Sequence, residues 1–186
     1  RPLVTQTDAD WVDVHRGPYF LHSGRFIWGG EQDGWYHLYL YGHGGRLIRK
    51  LTCGNYNVLS LNGVNEKRGI LYFSHYSHGP LDTELYRASL RGGTPVLVTT
   101  RAGTHAIDMG PGARAYLDTY SNVVTPPSFT VVDLHNARRT VIQPAARLPF
   151  RFQKPRFIRI RAANGRTRLY ARLTLPPHFD PHRRYP

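Results

Sequence analysis

Arg25-Phe26-Ile27-Trp28, Glu31-Gln32-Asp33-Gly34, Tyr36-His37-Leu38-Tyr39-Leu40-Tyr41, Gly42-His43-Gly44-Gly45 and Arg46-Leu47-Ile48-Arg49-Lys50-Leu51-Thr52 follow one another, and this stretch decides the fold. A short apolar run comes after the turn His22-Ser23-Gly24. A polar loop, a second run, a glycine-rich turn and a third run follow. The grammar then returns. Gly69–Ser74, Glu84–Leu90, the turn Arg91-Gly92-Gly93 and Thr94–Thr99 repeat it, and Ala113–Asp118, Ser128–Leu134, the turn His135–Arg138 and Arg139–Ile142 repeat it again. Leu38 to Leu85 is 47 residues and Leu85 to Phe129 is 44, while Phe26 to Ile70 is 44 and Ile70 to Ala115 is 45. Each unit also has a leading run: near Trp11–Val14 with Tyr19–Leu21, then Val58–Asn62, then His105–Met109. Four short strands in about 40–45 residues mark a propeller blade. The second strands alternate apolar and polar residues, and no helical period persists for three turns. A β-sandwich with regular strand spacing is the competing fold. The repeated order of strand, loop, strand, glycine turn and strand favours the propeller.

The fold class expected is therefore all-β: a partial β-propeller of about three four-stranded blades over 11–147, plus a connecting β-hairpin. After Ile142 the texture changes. Pro144, Pro149 and Pro155 punctuate a linker, and a boundary is expected near residue 148. Arg156–Arg161 and Arg168–Leu175 flank Ala162–Arg166, whose Asn164-Gly165 is a strong hairpin signal. The chain closes on a proline-rich connector, Leu175–Pro186. Propellers close with about four to eight blades, so three would leave both terminal blades with an uncovered face. With no methionine at Arg1, the sequence reads as part of a longer protein, any export signal lying upstream.

Composition narrows the function classes. Of the 186 residues, 40% are apolar and 12% aromatic, enough for a packed core rather than a disordered chain. The formal charge is +13, from 25 Lys and Arg against 12 Asp and Glu. Such a balance suits nucleic acid or an acidic membrane face, or reflects a preference for arginine on solvated strands. The basic residues show no clustering along the sequence except from Arg147 to Arg172, so nucleic acid is not expected as a partner. No stretch approaches the ~18 apolar residues of a membrane span. The single cysteine, Cys53, allows no intrachain disulfide and no multi-thiolate zinc site.

Candidate chemistry is sparse. No Gly-x-Ser-x-Gly elbow occurs, and Ser23, Ser74, Ser77 and Ser121 fall in strand ends or loops, so no catalytic residue is assigned. Cys53 precedes Gly54 in a turn with no positive helix terminus to lower its pKa. His75-x-x-His78 and His178-x-x-x-His182 have ligand-like spacing but no clear third ligand, so no metal or cofactor is expected. Asp8, Asp10 and Asp13 precede the first blade. Glu31 and Asp33 sit in a loop, and Asp82 and Glu84 flank a strand start. Asp118 and Asp133 end strands, where they are expected to bond turn amides. Phe150–Phe157 mixes basic and aromatic residues, which suits either a stacked single strand or an edge strand. The edge strand is preferred.

Four ordered motifs carry a resemblance. Glu31–Tyr41 with Leu51-Thr52-x-Gly54 and Val58 resembles a penultimate-blade motif of the dipeptidyl peptidase IV family, in the prolyl oligopeptidase superfamily. Glu84-Leu85-Tyr86-Arg87 with Gly92-Gly93 resembles its next blade. Ala113–Asn122 with Thr125-Pro126-Pro127, and Leu173–Pro181 with Arg184-Tyr185-Pro186, resemble bacterial members. The resemblance implies an eight-bladed propeller, at the upper end of the usual about four to eight blades, capping an α/β-hydrolase domain of the same chain. It implies a serine exopeptidase that releases N-terminal dipeptides with proline or alanine second; close bacterial relatives release tripeptides. Peptides are the implied substrates, a homodimer is compatible, and a periplasmic or secreted location is favoured. The family's triad and its oxyanion-stabilising tyrosine would fall beyond Pro186, and its paired glutamates before Arg1. Its pocket-lining arginine would fall near Val14–Gly17, where Val14 does not match and Arg16 is the nearby arginine. What remains for this piece is to wall the active-site cavity and gate substrate size. The alternative is a stand-alone propeller-like module that binds peptides or proteins.

Overall fold

A computed structural model describes residues 2–7, 9, 11–12, 17–76, 81–149, 154–176 and 178–185. The first four strands are β1 (Tyr19–Phe20), β2 (Phe26–Gly30), β3 (His37–Tyr41) and β4 (Leu47–Lys50), and they form one antiparallel meander. The second meander holds β5 (Val58–Asn65), β6 (Ile70–Tyr76), β7 (Thr83–Ser89) and β8 (Val96–Leu97). The third holds β9 (Thr104–Met109), β10 (Ala115–Asn122), β11 (Thr125–Asp133) and β12 (Arg139–Gln143). The second and third touch through one parallel step, Thr83 opposite Thr104, where the Thr83 amide donates to the Gly103 carbonyl at 3.1 Å. A separate hairpin pairs β13 (Arg156–Arg161) with β14 (Arg168–Leu173). The chain is thus a run of three four-stranded propeller blades followed by a hairpin, as the repeat predicts. Among the described residues no helix is long and apolar enough to cross a membrane.

The blades stack face to face because strand residues alternate sides. Leu38, Leu40 and Leu51 of the first blade meet Val64, Leu71 and Phe73 of the second in one buried cluster. On the opposite face of the second blade, Tyr72 and Leu85 meet Tyr116 and Val132 of the third. The alternation of β3 is therefore not an inside–outside pattern: all five of its residues are buried. Its aromatic positions Tyr39 and Tyr41 pack with Phe26 on the outer face of the first blade, under Val4. Gln6 reaches the same face and donates to the Gly29 carbonyl at 2.8 Å. The expectation of an uncovered face at both ends thus fails for the first blade, because the N-terminal segment lies over it. The third blade is more open, with Val141 and Ile142 of β12 60% and 62% exposed.

One boundary differs from the sequence reading. The first leading strand shrinks to Tyr19–Phe20, and Val14 lies outside the described residues. The Asn164-Gly165 hairpin forms where the sequence expects it. Gly165 takes φ 67° while Asn164 keeps an ordinary negative φ, and the Gly165 amide donates to the Ala162 carbonyl at 2.9 Å. This is a type I turn closed by a left-handed glycine, with the Asn164 carboxamide oxygen accepting from the Arg166 and Thr167 amides.

Candidate functional site

Polar chemistry gathers at the end of the blades where strands two and three are joined. A repeated threonine organises it. Thr52 follows β4, and its hydroxyl oxygen accepts from the Leu38 amide at 3.0 Å. Thr99 does the same for Leu85 at 3.3 Å, one blade on and again 14 residues downstream of its partner. Each threonine continues the strand pairing where the ladder would otherwise leave an amide buried and unpaired.

The residue before each of these leucines is buried and ionisable: His37 in the first blade, Glu84 in the second. His37 Nε2 lies 3.0 Å from the Gly54 carbonyl and must donate there. Its Nδ1 then accepts the Thr52 hydroxyl proton across 3.0 Å. These partners fix a neutral imidazole, and burial lowers its pKa, outweighing the pull of the Gly54 carbonyl. His75 is opposite Glu84 across the β6–β7 ladder. Its ring sits between Tyr56 and Tyr86, with centroids 3.9 and 4.3 Å away. Burial lowers its pKa as well, against the opposing influences of the Tyr76 backbone and Glu84.

His105 is the opposite case. Its Nε2 faces the Arg101 carbonyl at 2.9 Å and its Nδ1 faces Asp118 Oδ1 at 2.8 Å. Both nitrogens face acceptors, so both donate and the ring carries a positive charge. Burial opposes that charge, but the hydrogen bonds to Asp118 and Arg101, with the charges of Asp118 and Glu84, raise the pKa overall. Tyr120 closes the group: its hydroxyl donates to the Ala102 carbonyl at 2.9 Å, and the Arg101 guanidinium lies 4.0 Å from its ring centre. Asp118 was expected to bond turn amides; it pairs with His105 instead, because the β9–β10 ladder brings the two side chains to one buried face. Asp133 does cap amides, accepting from His135 at 2.7 Å.

The remaining candidates are dispersed. Ser23 accepts from Arg25 Nε at 3.0 Å, and Ser74 donates to Asn62 Oδ1 at 2.8 Å inside the second blade. Ser121 lines a cleft with Asp82, Asn122 and Lys154. Asp33 pairs with Lys50, which lowers its pKa. Cys53 is exposed. The His182 backbone amide donates to Asp180 Oδ1 at 2.9 Å. Among the described residues no group of three or more His, Cys, Asp or Glu could hold a metal ion. Asp8, Asp10, Asp13, Val14, Arg16, Ser77, His78 and residues 150–153 of the Phe150–Phe157 run lie outside the described residues. The buried histidine network escaped the sequence reading; its one visible signal was a histidine or glutamate before each repeated leucine. A further cleft of about 310 Å³, lined by Tyr19, Tyr36, Leu59 and Ser60 among others, opens between the leading strands β1 and β5.

The model of the dipeptidyl peptidase IV N-terminal region matches residues 1–127. The chain belongs to this family. The dipeptidyl peptidases 4 of Trichophyton equinum and Trichophyton rubrum are each 26% identical to it over 164 residues, 84% of this chain and 21% of theirs. The crystal structure of Porphyromonas gingivalis dipeptidyl peptidase 4 superposes with a TM-score of 0.81 at 25% identity, covering 91% of this chain and 24% of that one. The chain therefore spans about a fifth of the length of the curated relatives it matches. In dipeptidyl peptidase IV terms it is propeller, and the histidine network, the repeated threonines and the clefts are features of propeller blades. The family match ends inside β11, while the likeness to the solved structure reaches further along the chain.

Proposed function

We propose that this chain is the propeller part of a serine exopeptidase that removes N-terminal dipeptides, with proline or alanine second, and that it walls the reaction cavity and admits substrates by size. The match of the dipeptidyl peptidase IV N-terminal region to 127 of the 186 residues carries this reading. The physical support is rigidity. Blades locked by buried clusters on both faces and by buried side-chain bonds hold a fixed wall, which exclusion by size requires.

The segment 148–186 serves in this reading as the connector to an α/β-hydrolase domain of the same chain. Its hairpin supports that role. Phe157, Ile158, Ile160, Leu169, Tyr170 and Leu173 are all exposed on a two-stranded sheet. An isolated hairpin is marginal in water, so these side chains need a covering body.

The test is made on the full-length protein that contains this chain. It should release dipeptides from short peptides with proline or alanine second and spare the same sequence when it is embedded in a folded domain. Release of tripeptides would overturn the dipeptide assignment. No release from any of these peptides would overturn the peptidase reading.

A further inference from the structure

The basic residues are scattered in the sequence, and only 147–172 reads as a cluster. The blades gather them differently. Each blade is an antiparallel meander, so its turns between strands one and two, and between strands three and four, emerge at one end of the stack. Arg25, Lys67, Arg68, Arg91, Arg114 and Arg138 lie in or beside these turns, and all six are exposed. Two carboxylates also line the clefts, Glu66 the first and Asp133 the second, and each has a partner of its own. Glu66 binds His22 across 2.7 Å, and Asp133 accepts the amides of His135 and Asn136.

Two open clefts lie here, of about 610 and 420 Å³. Lys67 and Arg68 line both. The first adds Arg25 and Arg91, the second Arg114, so one basic groove crosses all three blades. Neighbouring blades are tied at this end: Arg68 donates to the Leu134 carbonyl at 3.3 Å, and Arg49 of β4 to the Arg91 carbonyl. Among the described residues no phenylalanine, tyrosine or tryptophan lines either cleft, and the one ring there is the imidazole of His135, so the large stacking platforms of base-binding grooves are lacking. The chain leaves from the other end, where Lys154 and Phe157 lie against Asp82, Ala102 and Ser121.

We propose that this end of the blades binds a linear polyanion that carries phosphate or sulfate groups and no bases. Guanidinium forks match such oxyanions two oxygens at a time, and their charge does not titrate near neutral pH. A groove favours a chain-like ligand, whereas a lipid surface needs a flat or convex face.

The probe is end-labelled inorganic polyphosphate of uniform length. It is titrated into the full-length protein at about 150 mM salt, where exposed charges more than ~8 Å apart are largely screened. The double variant Lys67→Glu/Arg114→Glu should weaken binding about tenfold or more and flatten its salt dependence. Arg25→Glu/Arg91→Glu, on the other cleft, should do the same. Arg147→Glu/Lys154→Glu makes the same change of charge away from the groove and should leave binding within about twofold. Thermal melting of each variant separates lost binding from lost fold, and the two groove pairs fail independently. Equal weakening by the control pair would overturn the proposal in favour of general attraction to a basic protein. So would absence of binding at this salt, or tighter groove-dependent binding of oligothymidylate or of phosphatidylglycerol vesicles. Peptidase activity takes no part in this readout, so its failure and that of the functional reading are distinguishable.

Discussion

His37 and His105 are buried to similar extents, yet the first is neutral and the second charged, because one faces a hydroxyl where the other faces a carboxylate. The consequence for pH has a definite sign. The folded pKa of His105 is raised above its ordinary 6.5, so its contribution to stability is complete below that value and is lost as pH rises through the folded pKa. The stability gap between the wild type and His105→Gln should be widest at acid pH and narrow toward alkaline pH; a gap that grows with pH would contradict the assignment. His37 and His75 act oppositely. Their lowered values give stability that is present above 6.5 and falls as pH drops through the folded pKa. The threonines separate by the number of partners they serve. Thr99→Val removes one bond to a buried amide and should cost about 1 kcal/mol, while Thr52→Val also strands His37 Nδ1 and should cost about 2 kcal/mol. The midpoint of propeller unfolding in each variant checks the order.

At the scale of the element, the turns carried most of what the sequence could say. The glycine of Gly42-His43-Gly44-Gly45 has its place because Gly45 takes φ 83° and its amide closes the turn on the Gly42 carbonyl. In the third blade alanines take left-handed positions, Ala137 in the corresponding turn with φ 58° and Ala113 in the turn between strands one and two with φ 47°. Ala137 is exposed and its methyl does no packing, so Ala137→Gly should stabilise the blade by about 1 kcal/mol in a melting experiment. Inside β2 the constraint is space. A methyl on Gly29 would fall 1.7 Å from the Tyr36 hydroxyl. Gly29→Ala should therefore displace Tyr36 from the buried cluster and cost about 1–3 kcal/mol, read as a lowered unfolding midpoint. The strands themselves were legible because glycine turns bracket apolar runs at a fixed interval. What the pattern concealed was which faces are buried. The histidine and tyrosines of β3 look like solvent positions, yet the N-terminal segment and the following blade cover them. Asp118 shows the same limit. Its partner His105 lies on the preceding strand, and only the ladder register shows that they meet.

For the whole molecule, the order of motifs carried the family, and the three-dimensional gathering of charge did not follow from it. Arg25 and Arg114 are 89 residues apart in sequence but border one groove, because each blade delivers its turns to the same end. The serines tell the complementary story. Ser23 and Ser74 are occupied by local bonds, and Ser121 lies in a cleft whose described lining holds no histidine. The proposed reading, in which the bond-breaking group lies in another part of the protein, accounts for both. The most direct measurement is to treat the full-length protein with a serine-reactive fluorophosphonate, digest it and map the modified peptide. The account predicts a single labelled serine outside residues 1–186, with peptidase activity lost in proportion to labelling. A label on Ser23, Ser74, Ser77 or Ser121 would contradict it.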